Sequence, residues 1–244
     1  MKVEHVGNGA LRIKVLDHGF VILRNISGPT RRAQRPYDAD DIDVAQAARI
    51  SFNQMDSERT RDDDMKLAKY LMKNFHTTPI EQIQVWLEMK LPIFVARQFV
   101  RHRTVSINEC SARYIKLPEE WYIPTDVGGK PPNAKQGQIE GLPAPLQAEF
   151  KKELDDDCRR GYEKYSHFIE HGVAAEHARC FLHVNHYTHW IWSQDLHNMM
   201  HFLSLRDHSH AQLEAQLYAK AISHLLQLVV PDLMGLYDQY RRFE

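Results

Sequence analysis

Residues 97–114 read RQFVRHRTVSINECSARY and carry more information than any other stretch of the chain. Four arginines stand there against one glutamate, in a protein whose formal net charge is −1. Serine and asparagine lie among the arginines, and few large apolar residues interrupt them. Guanidinium groups make forked hydrogen bonds to phosphate, and short polar groups complete the oxygen shell, so the stretch indicates a site for a phosphorylated ligand. The alternative is a basic surface exposed to solvent, and the spacing of the residues alone does not decide between the two interpretations.

The composition limits the class of protein. The 244 residues, 43% of them hydrophobic, suffice for one large domain or two small ones with a packed core. Apolar runs are too short to span a membrane, and residues 1–15 lack the apolar stretch of a secretory signal. A net charge near zero gives no general attraction to nucleic acid or membrane, so we expect neither as a partner.

Cysteine usage points to a reducing compartment, so we expect a cytoplasmic protein. Cys110, Cys158 and Cys180 are an odd, scattered set without a CxxC pair, which argues against a disulfide framework and a zinc–cysteine site. Cys110 lies inside the arginine-rich stretch without an evident base, and we interpret it as a packed thiol. Ser111 has no evident His–acid pair that would make it a nucleophile.

The first half of the chain predicts a mixture of strands and helices. Residues 11–26 indicate a β-hairpin, and a helix is expected from Asp38 to Phe52. Thr60 is placed to cap the following helix, since acidic residues come directly after it. The buried stripe predicted for that helix is Met65, Ala68, Leu71 and Phe75.

The arginine-rich stretch is expected to begin on a helix and to continue as a loop. Residues 84–90 alternate apolar and polar side chains and predict the strand before it, and Pro92 is placed to start the helix. Residues 114–123 would follow as a strand or an extended segment. Residues 124–145, rich in Pro and Gly, predict a surface loop and not a domain boundary.

The second half is mainly helical by its apolar periodicity. The predicted elements are a helix from Leu146 that ends at Gly172, a short helix over 173–182, a strand over 184–192, a helix over 195–206, and a long helix capped by Ser209 and terminated by Pro231.

Fifteen histidines invite a metal interpretation. His183, His186 and His189 fall in a predicted strand, where a spacing of three alternates faces and prevents convergence. His197 and His201 share a helix face, as zinc ligands do, but neither HExxH nor a carboxylate at a familiar spacing accompanies them. We expect no metal site, and a metal-dependent hydrolase stays a distant alternative.

The arginine-rich stretch resembles the signature of the flavin-dependent thymidylate synthases. Arg101, His102 and Arg103 are followed, after seven residues, by Ser111. Residues 101–114 meet the longer pattern RHRxxSxNExSxRY, which is far more specific than the tripeptide alone.

Further segments resemble blocks of the same family. They are residues 47–52 (AARISF), 76–81 (HTTPIE), 195–203 (DLHNMMHFL) and 206–214 (RDHSHAQLE). The second block departs from the family pattern at Gln82, where a second histidine is often found. Taken without the resemblance, its Thr, Pro and Glu are spaced as a capping box centred on Thr78, which would simply start a short helix.

The resemblance implies an α/β fold of the α+β type, with one domain over residues 1–244 and a central, mostly antiparallel sheet flanked by long helices. It implies a methyltransferase that makes dTMP from dUMP in nucleotide biosynthesis. FAD would be the cofactor, with 5,10-methylenetetrahydrofolate and NADPH as co-substrates. The partners would be dUMP, folate, NADPH and further copies of the chain, in a homotetramer with active sites between subunits.

The same resemblance assigns roles to single residues. Arg206 would be catalytic, facing the pyrimidine and stabilising negative charge that develops on it. Arg113 and Arg179 would hold the substrate phosphate, and His76 and Tyr114 are candidates for the folate site. The expected substrate-binding residues are Gln98, Phe99, Val100, Arg101, Glu109, Cys110, Ser111, Ala112, Arg113, Arg179 and Arg206. The expected cofactor-binding residues are Ser51, Thr78, Arg101, His102, Arg103, Glu109, Asp195, His197 and His201.

Two further alternatives belong to different classes. A nucleic-acid-binding module would use the arginine-rich stretch, although the near-zero net charge argues against a wide basic surface. A homologue that binds flavin or nucleotide without synthase activity would keep the motif for another purpose.

Overall fold

A six-stranded antiparallel sheet lies at the centre of the structure, a computed structural model that describes residues 1–29, 37, 39–55, 59–132, 138–139 and 141–242. The strands run in the order β1-β2-β3-β4-β6-β5, and every neighbouring pair is antiparallel. The expected fold class is therefore confirmed. The strands are β1 (Val3–Val6), β2 (Ala10–Val15), β3 (Gly19–Ser27), β4 (Gln84–Pro92), β5 (Val105–Glu109) and β6 (Tyr187–Asp195).

Helices surround this sheet, and several pack on one of its faces. Helix α8 lies against β2 and β3, while α4 and α7 lie against β4 and β6. The helices are α1 (Asp43–Arg49), α2 (Arg61–Lys73), α3 (Thr78–Glu81), α4 (Ile93–Phe99), α5 (Ala144–Glu170), α6 (Ala175–Ala178), α7 (Leu196–Arg206), α8 (Leu213–Val229) and α9 (Pro231–Tyr240).

Alternation along the central strands decides which face is buried. Val85, Leu87 and Met89 of β4 are fully buried, whereas the side chains between them lie on the other face and are partly exposed. Trp190 and Trp192 of β6 continue the buried face. The predicted strand over residues 84–90 is thus confirmed, and it extends to Pro92.

The predicted N-terminal hairpin is also confirmed. Strands β2 and β3 pair from Leu11↔Leu23 to Val15↔Gly19, so the chain turns between residues 15 and 19. Gly19 lies against the α8 side of the core. A Cβ atom at this position would stand 1.9 Å from the Tyr218 hydroxyl and 2.6 Å from the Val15 carbonyl oxygen. Only glycine leaves room for the Tyr218 hydroxyl, which donates a 2.7 Å hydrogen bond to the Lys90 carbonyl oxygen.

Helix α2 begins as expected, but its predicted stripe is partly wrong. The Thr60 side chain accepts a hydrogen bond from the Asp63 backbone N–H at 3.2 Å, so Thr60 is the N-cap. Ala68 and Leu71 are buried, whereas Phe75 is 65% exposed. The helix ends at Lys73, and the positive φ of Phe75 (61°) turns the chain away from the helical path.

Four other boundaries differ from the sequence prediction. Helix α1 begins at Asp43 and not at residue 38, which lies outside the described residues. Strand β6 begins at Tyr187 and not at 184. Residues 114–123 form no strand and contribute only the single bridge Trp121↔His186. The expected capping box at residue 78 is wrong, because Thr77 is the N-cap of α3 and makes no side-chain capping bond.

The C-terminal region departs further from expectation. Helix α8 begins at Leu213 with Gln212 as its N-cap, so Ser209 does not cap it. Pro231 follows its end as predicted, but the same proline starts α9, which the sequence analysis missed. Proline is favourable in the first turn of a helix, where its missing N–H has no intrahelical partner anyway.

The long helix predicted for the middle of the chain is confirmed, although it begins at Ala144 and not at Leu146. Helix α5 spans 27 residues and is followed by Gly172, whose φ of +81° suits glycine at a helix end. In the 124–145 segment, a single bridge joins Gly129 and Ile139, while residues 133–137 and 140 lie outside the described part. None of the described helices has the length and apolar character needed to cross a bilayer.

Replacing Gly19 by Ala should destabilise the protein by about 1–3 kcal/mol, the usual cost of forcing extra volume into a packed core. The matched control is Gly235→Ala, since a Cβ there meets nothing within 4 Å and the residue lies inside α9. That change should be neutral or stabilise by up to about 1 kcal/mol through helix propensity. Urea unfolding of both variants measures the difference, and equal stability of the two would contradict the packing argument.

Candidate functional site

Two strands deliver the site helices directly, without intervening loops. Pro92 ends β4 and is the N-cap of α4, and Asp195 ends β6 and is the N-cap of α7. The Asp195 carboxylate accepts hydrogen bonds from the backbone N–H and the side-chain amide of Asn198, both at 2.8 Å. Asp195, an expected cofactor contact, therefore already has a capping role that fixes the start of α7.

The C-terminal end of α7 meets the segment that follows α4. Arg206 Nε donates a hydrogen bond to His102 Nε2 at 2.9 Å, and Arg206 Nη2 donates to the Gln98 carbonyl oxygen at 3.1 Å. Three residues expected at the site from separate motifs thus lie in direct contact. We call this set, with the neighbouring Arg101 and Arg103, the Arg206 group.

The geometry of the Arg206 group requires a neutral His102. A guanidinium N–H donates to Nε2 only when that nitrogen carries a lone pair, so the ring proton lies on Nδ1. His102 is 9% exposed, and its ring packs edge-on against Phe202 at 4.9 Å. Burial, followed by the nearby charges of Arg206 and His201, lowers the pKa of His102 to about 4. The imidazole is thus a stable acceptor at neutral pH.

Other expected substrate residues around the Arg206 group differ in exposure. The Gln98 side chain donates to Gln212 Oε1 at 2.6 Å, a contact to the segment before α8. Phe99 is fully buried against Phe202 and Trp192, which leaves only its backbone for a ligand. Val100, in contrast, is 43% exposed. Arg101 and Arg103 are exposed.

A second set of expected residues follows β5, and we call it the Glu109 group (residues 109–114). The Thr188 hydroxyl donates to Glu109 Oε1, and the Cys110 backbone N–H donates to the His189 carbonyl oxygen at 2.8 Å. Arg113 lies over the Tyr114 ring at 5.0 Å and donates to its hydroxyl at 3.0 Å. Within the group, Ser111 and Ala112 are half-buried, and Arg113 and Tyr114 are exposed.

The two groups lie at opposite ends of β5, a strand inside the stretch that was expected to be a loop. Strand β5 pairs with β6 from Val105↔Gln194 to Glu109↔Trp190. The four steps of about 3.3 Å between its first and last residues hold the two ends roughly 13 Å apart. The expectation of a loop is therefore wrong between these residues, and the strand separates the two halves of the motif by a fixed distance.

The remaining expected residues lie on other segments. Arg179 is exposed after α6 and donates from Nε to the Glu176 carbonyl oxygen at 3.3 Å. His76 is exposed and stacks on Tyr70 at 5.7 Å. Ser51 and Thr78 are exposed, in the turn after α1 and at the first residue of α3. Cys110 Sγ lies 3.9 Å from the Thr188 hydroxyl.

A cavity of about 220 Å³ lies between the C-terminal ends of α2 and α9 and the middle of α7. His197 and His201 line it, together with Phe75 and Arg241. Burial, followed by the charge of Arg241, lowers the pKa of His197 below its usual value. The two histidines that share a face of α7 therefore face a cavity, and within the described residues no three metal-ligating side chains converge there or elsewhere.

Known proteins share both the sequence and the fold. The family model described as "Thymidylate synthase complementing protein" matches residues 36–232. A flavin-dependent thymidylate synthase of Wolbachia pipientis wMel is 39% identical over 229 residues, which cover 93% of this chain and 76% of the relative. The enzyme of the same name from Gluconobacter oxydans is 38% identical over 233 residues, 93% of this chain and 73% of the relative.

The chain belongs to the flavin-dependent thymidylate synthase family. Members are methyl-transferring flavoenzymes, so the expected enzyme class is confirmed. Among solved structures, the UMP/dUMP methylase PolB from Streptomyces cacaoi, bound with 5-Br dUMP, has a TM-score of 0.80 and 26% identity, and the match covers 94% of this chain and 99% of that one.

Sequence reasoning missed two contacts around the site. Thr188 binds Glu109 from a neighbouring strand, and Arg241, which follows a helix that was not predicted, donates to the Met72 carbonyl oxygen. Neither contact has a local sequence signal, because each joins segments more than 30 residues apart. Gln212 lies in a block that resembles the family, but its side-chain contact with Gln98 was not predicted either.

Replacing His102 by Phe should lower turnover by roughly 10- to 100-fold, because Arg206 loses the acceptor that orients it and small displacements of a reacting group are costly. His102→Gln keeps an acceptor oxygen and should recover much of the loss. Flavin content and thermal stability of both variants serve as controls. Equal turnover of the Phe and Gln variants would show that the hydrogen bond does not position Arg206.

Proposed function

We propose that this protein converts dUMP to dTMP, with FAD as cofactor, 5,10-methylenetetrahydrofolate as carbon donor and NADPH as reductant. The observation that carries the proposal is Arg206, held by His102 and Gln98 within the family's arginine motif. Two of its five N–H groups are used in these described contacts, which leaves three for a ligand. The scattered free cysteines support a reducing, cytoplasmic location.

Arg206 has the chemistry needed to act on the pyrimidine. Burial lowers its pKa, yet a guanidinium stays protonated at neutral pH. A fixed cation beside the ring would stabilise the negative charge that develops there, and a site already organised for that charge needs no rearrangement. His102 and the Gln98 carbonyl oxygen would keep the guanidinium in one orientation during turnover.

The Glu109 group and Arg179 would hold the nucleotide. Arg113 and Arg179 are exposed cations suited to the phosphate. Ser111, which lies between Glu109 and Arg113 in the sequence, adds a hydroxyl group. Glu109 keeps one carboxylate oxygen for Thr188 and offers the other to the ligand. Cys110 would contribute its backbone, and Ala112 and Val100 would contribute small apolar contacts.

The described residues suit a bound flavin dinucleotide. Arg101 and Arg103 are exposed cations for an anionic cofactor, and Nη2 of Arg241, at the cavity beside His197, is buried without a hydrogen-bond partner among the described residues. The flavin supplies hydride transfer and takes part in moving the one-carbon unit. Ser51, Thr78, His102, Glu109, Asp195, His197 and His201 complete the set we propose to line it, with His76 and Tyr114 toward the folate.

Assembly of several chains would complete the site. The Arg206 group and the Glu109 group lie at opposite ends of β5, so one nucleotide bound between copies of the chain can use one group from each. Ile191, on the sheet face away from the buried tryptophans, is 41% exposed, so another copy of the chain has access to this face. These features support the proposed homotetramer with active sites between subunits.

The decisive experiment is an absorption spectrum of the purified protein, followed by anaerobic NADPH with and without dUMP. Flavin bands that bleach faster when dUMP is present support a common site for both ligands, and dTMP formation with the folate completes the assignment. A colourless protein that neither takes up FAD nor oxidises NADPH would refute the proposal.

Arg206→Ala should leave folding and flavin content nearly unchanged and remove most dTMP formation, a loss of about 100-fold or more for a preorganised charge-stabilising group. Arg159→Gln is a suitable control, because Arg159 is exposed on α5 and pairs only with a neighbouring carboxylate in the described contacts. Near-normal dTMP formation by the Arg206 variant would rule out the proposed catalytic role.

A further inference from the structure

Helix α5 contributes little to the core around the sheet, although it spans 27 residues. Only Cys158, Gly161 and Tyr165 are buried in this helix, and their spacing of three and four residues places them on one face. Tyr165 lies in a second hydrophobic cluster with Leu117 and Ala178, which we call the Tyr165 cluster together with the side chains packed against it. Tyr165 therefore joins α5 to two segments outside the sheet.

Two tyrosines of α5 bind both backbone polar groups of Leu117. The Tyr165 hydroxyl accepts a hydrogen bond from the Leu117 N–H at 2.9 Å, and the Tyr162 hydroxyl donates to the Leu117 carbonyl oxygen at 3.0 Å. Leu117 lies outside the helices and strands, so its backbone groups have no partners in a regular element. The two tyrosines thus hold the chain in place shortly after the Glu109 group.

The turn that contains Arg113 leads directly to this point. The Tyr114 and Ile115 N–H groups both donate to the Ser111 carbonyl oxygen, at 2.9 and 3.1 Å. Ala112, the residue before Arg113, packs against the Tyr165 cluster. The backbone of Arg113 is therefore held on both sides, by the cluster and by the turn.

The segment that contains Arg179 is held by the same helix. Arg179 begins a short 3-10 helix (Arg179–Phe181) and directly follows Ala178, which is buried in the Tyr165 cluster. A Cβ atom at Gly161 would stand 2.6 Å from the Phe181 carbonyl oxygen, so glycine lets α5 approach this backbone closely. The Phe168 ring stacks on the Phe181 ring at 5.3 Å. One face of α5 thus fixes the backbone on either side of Arg179.

We propose that Tyr165 is a positioning residue for the substrate phosphate, because it holds the segments of Arg113 and Arg179 at a fixed separation. The proposal rests on the proposed function, in which these two exposed arginines bind the phosphate of dUMP. Each arginine directly follows a small residue of the Tyr165 cluster, Ala112 or Ala178. Two guanidinium groups share one phosphate only at a matching distance, and a separation fixed before binding lowers the entropic cost of the complex.

Tyr165→Phe keeps the ring in its cluster and removes the acceptor of the Leu117 N–H. The KM and the dissociation constant for dUMP should each rise about tenfold, in keeping with a donor that loses its partner. The kcat at saturating dUMP should change by less than about twofold, because Arg206 and its contacts are untouched. Steady-state kinetics and calorimetry on the flavin-loaded protein measure these constants.

A double-mutant cycle separates positioning from a general loss of stability. In an Arg179→Gln background only one of the two arginines remains, so the separation set by Tyr165 no longer matters. Adding Tyr165→Phe should then weaken dUMP binding by less than about twofold, compared with about tenfold in the native background. Fold-changes that simply multiply would overturn the proposal, because Tyr165 would then act independently of Arg179.

Gly161→Ala disturbs the same arrangement from the side of Arg179. Alanine is favourable inside a helix, so weaker binding would come from the displaced Phe181 backbone and not from loss of α5. The dissociation constant for dUMP should again rise about tenfold, since small displacements of positioned groups are costly.

Two controls make the same chemical changes elsewhere in the chain. The Tyr237 hydroxyl is buried without a hydrogen-bond partner among the described residues, so Tyr237→Phe removes a hydroxyl without breaking a described bond. Gly235→Ala adds a methyl group that meets nothing within 4 Å. Both should leave the constants for dUMP unchanged. Thermal stability and flavin content are compared across all variants.

The outcomes distinguish this proposal from the proposed function. Unchanged dUMP constants in Tyr165→Phe and Gly161→Ala, or a lower kcat at constant KM, would overturn the role of Tyr165 and leave the synthase proposal standing. A native protein that binds dUMP without forming dTMP would refute the synthase proposal, while tenfold weaker binding by Tyr165→Phe would still support the positioning role. A native protein that binds no dUMP would refute both.

Discussion

The antiparallel pairing of β4 with β6 is the constraint on which the site depends. The two strands pair over their full length, from Gln84↔Asp195 to Pro92↔Tyr187, although about 100 residues separate them in the chain. Helix α4 starts at one end of this ribbon and α7 at the other. Seven residues of α4 cover about 10 Å and eleven of α7 about 16 Å, which together approach the roughly 30 Å length of a nine-residue strand. Two helices that run back over the ribbon from opposite ends therefore meet at their C-termini, where Arg206 reaches the Gln98 carbonyl oxygen.

This arrangement makes the position of Arg206 a property of the sheet register. A slip of one residue between β4 and β6 would turn the buried Val85, Leu87 and Met89 toward the opposite face, so burial strongly specifies the register. Burial of the His102 ring itself keeps this imidazole neutral beside the guanidinium. Core packing and the electrostatics of the site are thus coupled, because hydrophobic contacts of the core fix the elements that carry the site residues.

The parts of the fold with a strong local signal were predictable from the sequence. The β2–β3 hairpin, the alternation in β4 and the Thr60 cap each follow from a few neighbouring residues. Strand β5 was missed because it is short and three of its five residues are polar, and pairing with β6 decides their conformation. Helix α9 was missed because Pro231 was interpreted only as the end of α8, whereas proline is also common at the first position of a helix. The motif residues were identified through resemblance, but their division into two groups depends on that unpredicted strand.

Strand β5 is also one of the two edges of the sheet, since among the described residues β6 is its only strand partner. An unpaired row of backbone N–H and C=O groups can recruit strands from other molecules and seed aggregation. This edge is only five residues long, Arg101 and Arg103 precede it, and Glu109 closes it. Shortness and charge are the features by which natural proteins discourage such pairing. The arginines that we propose for ligand binding would therefore also keep this edge from pairing with strands of other molecules.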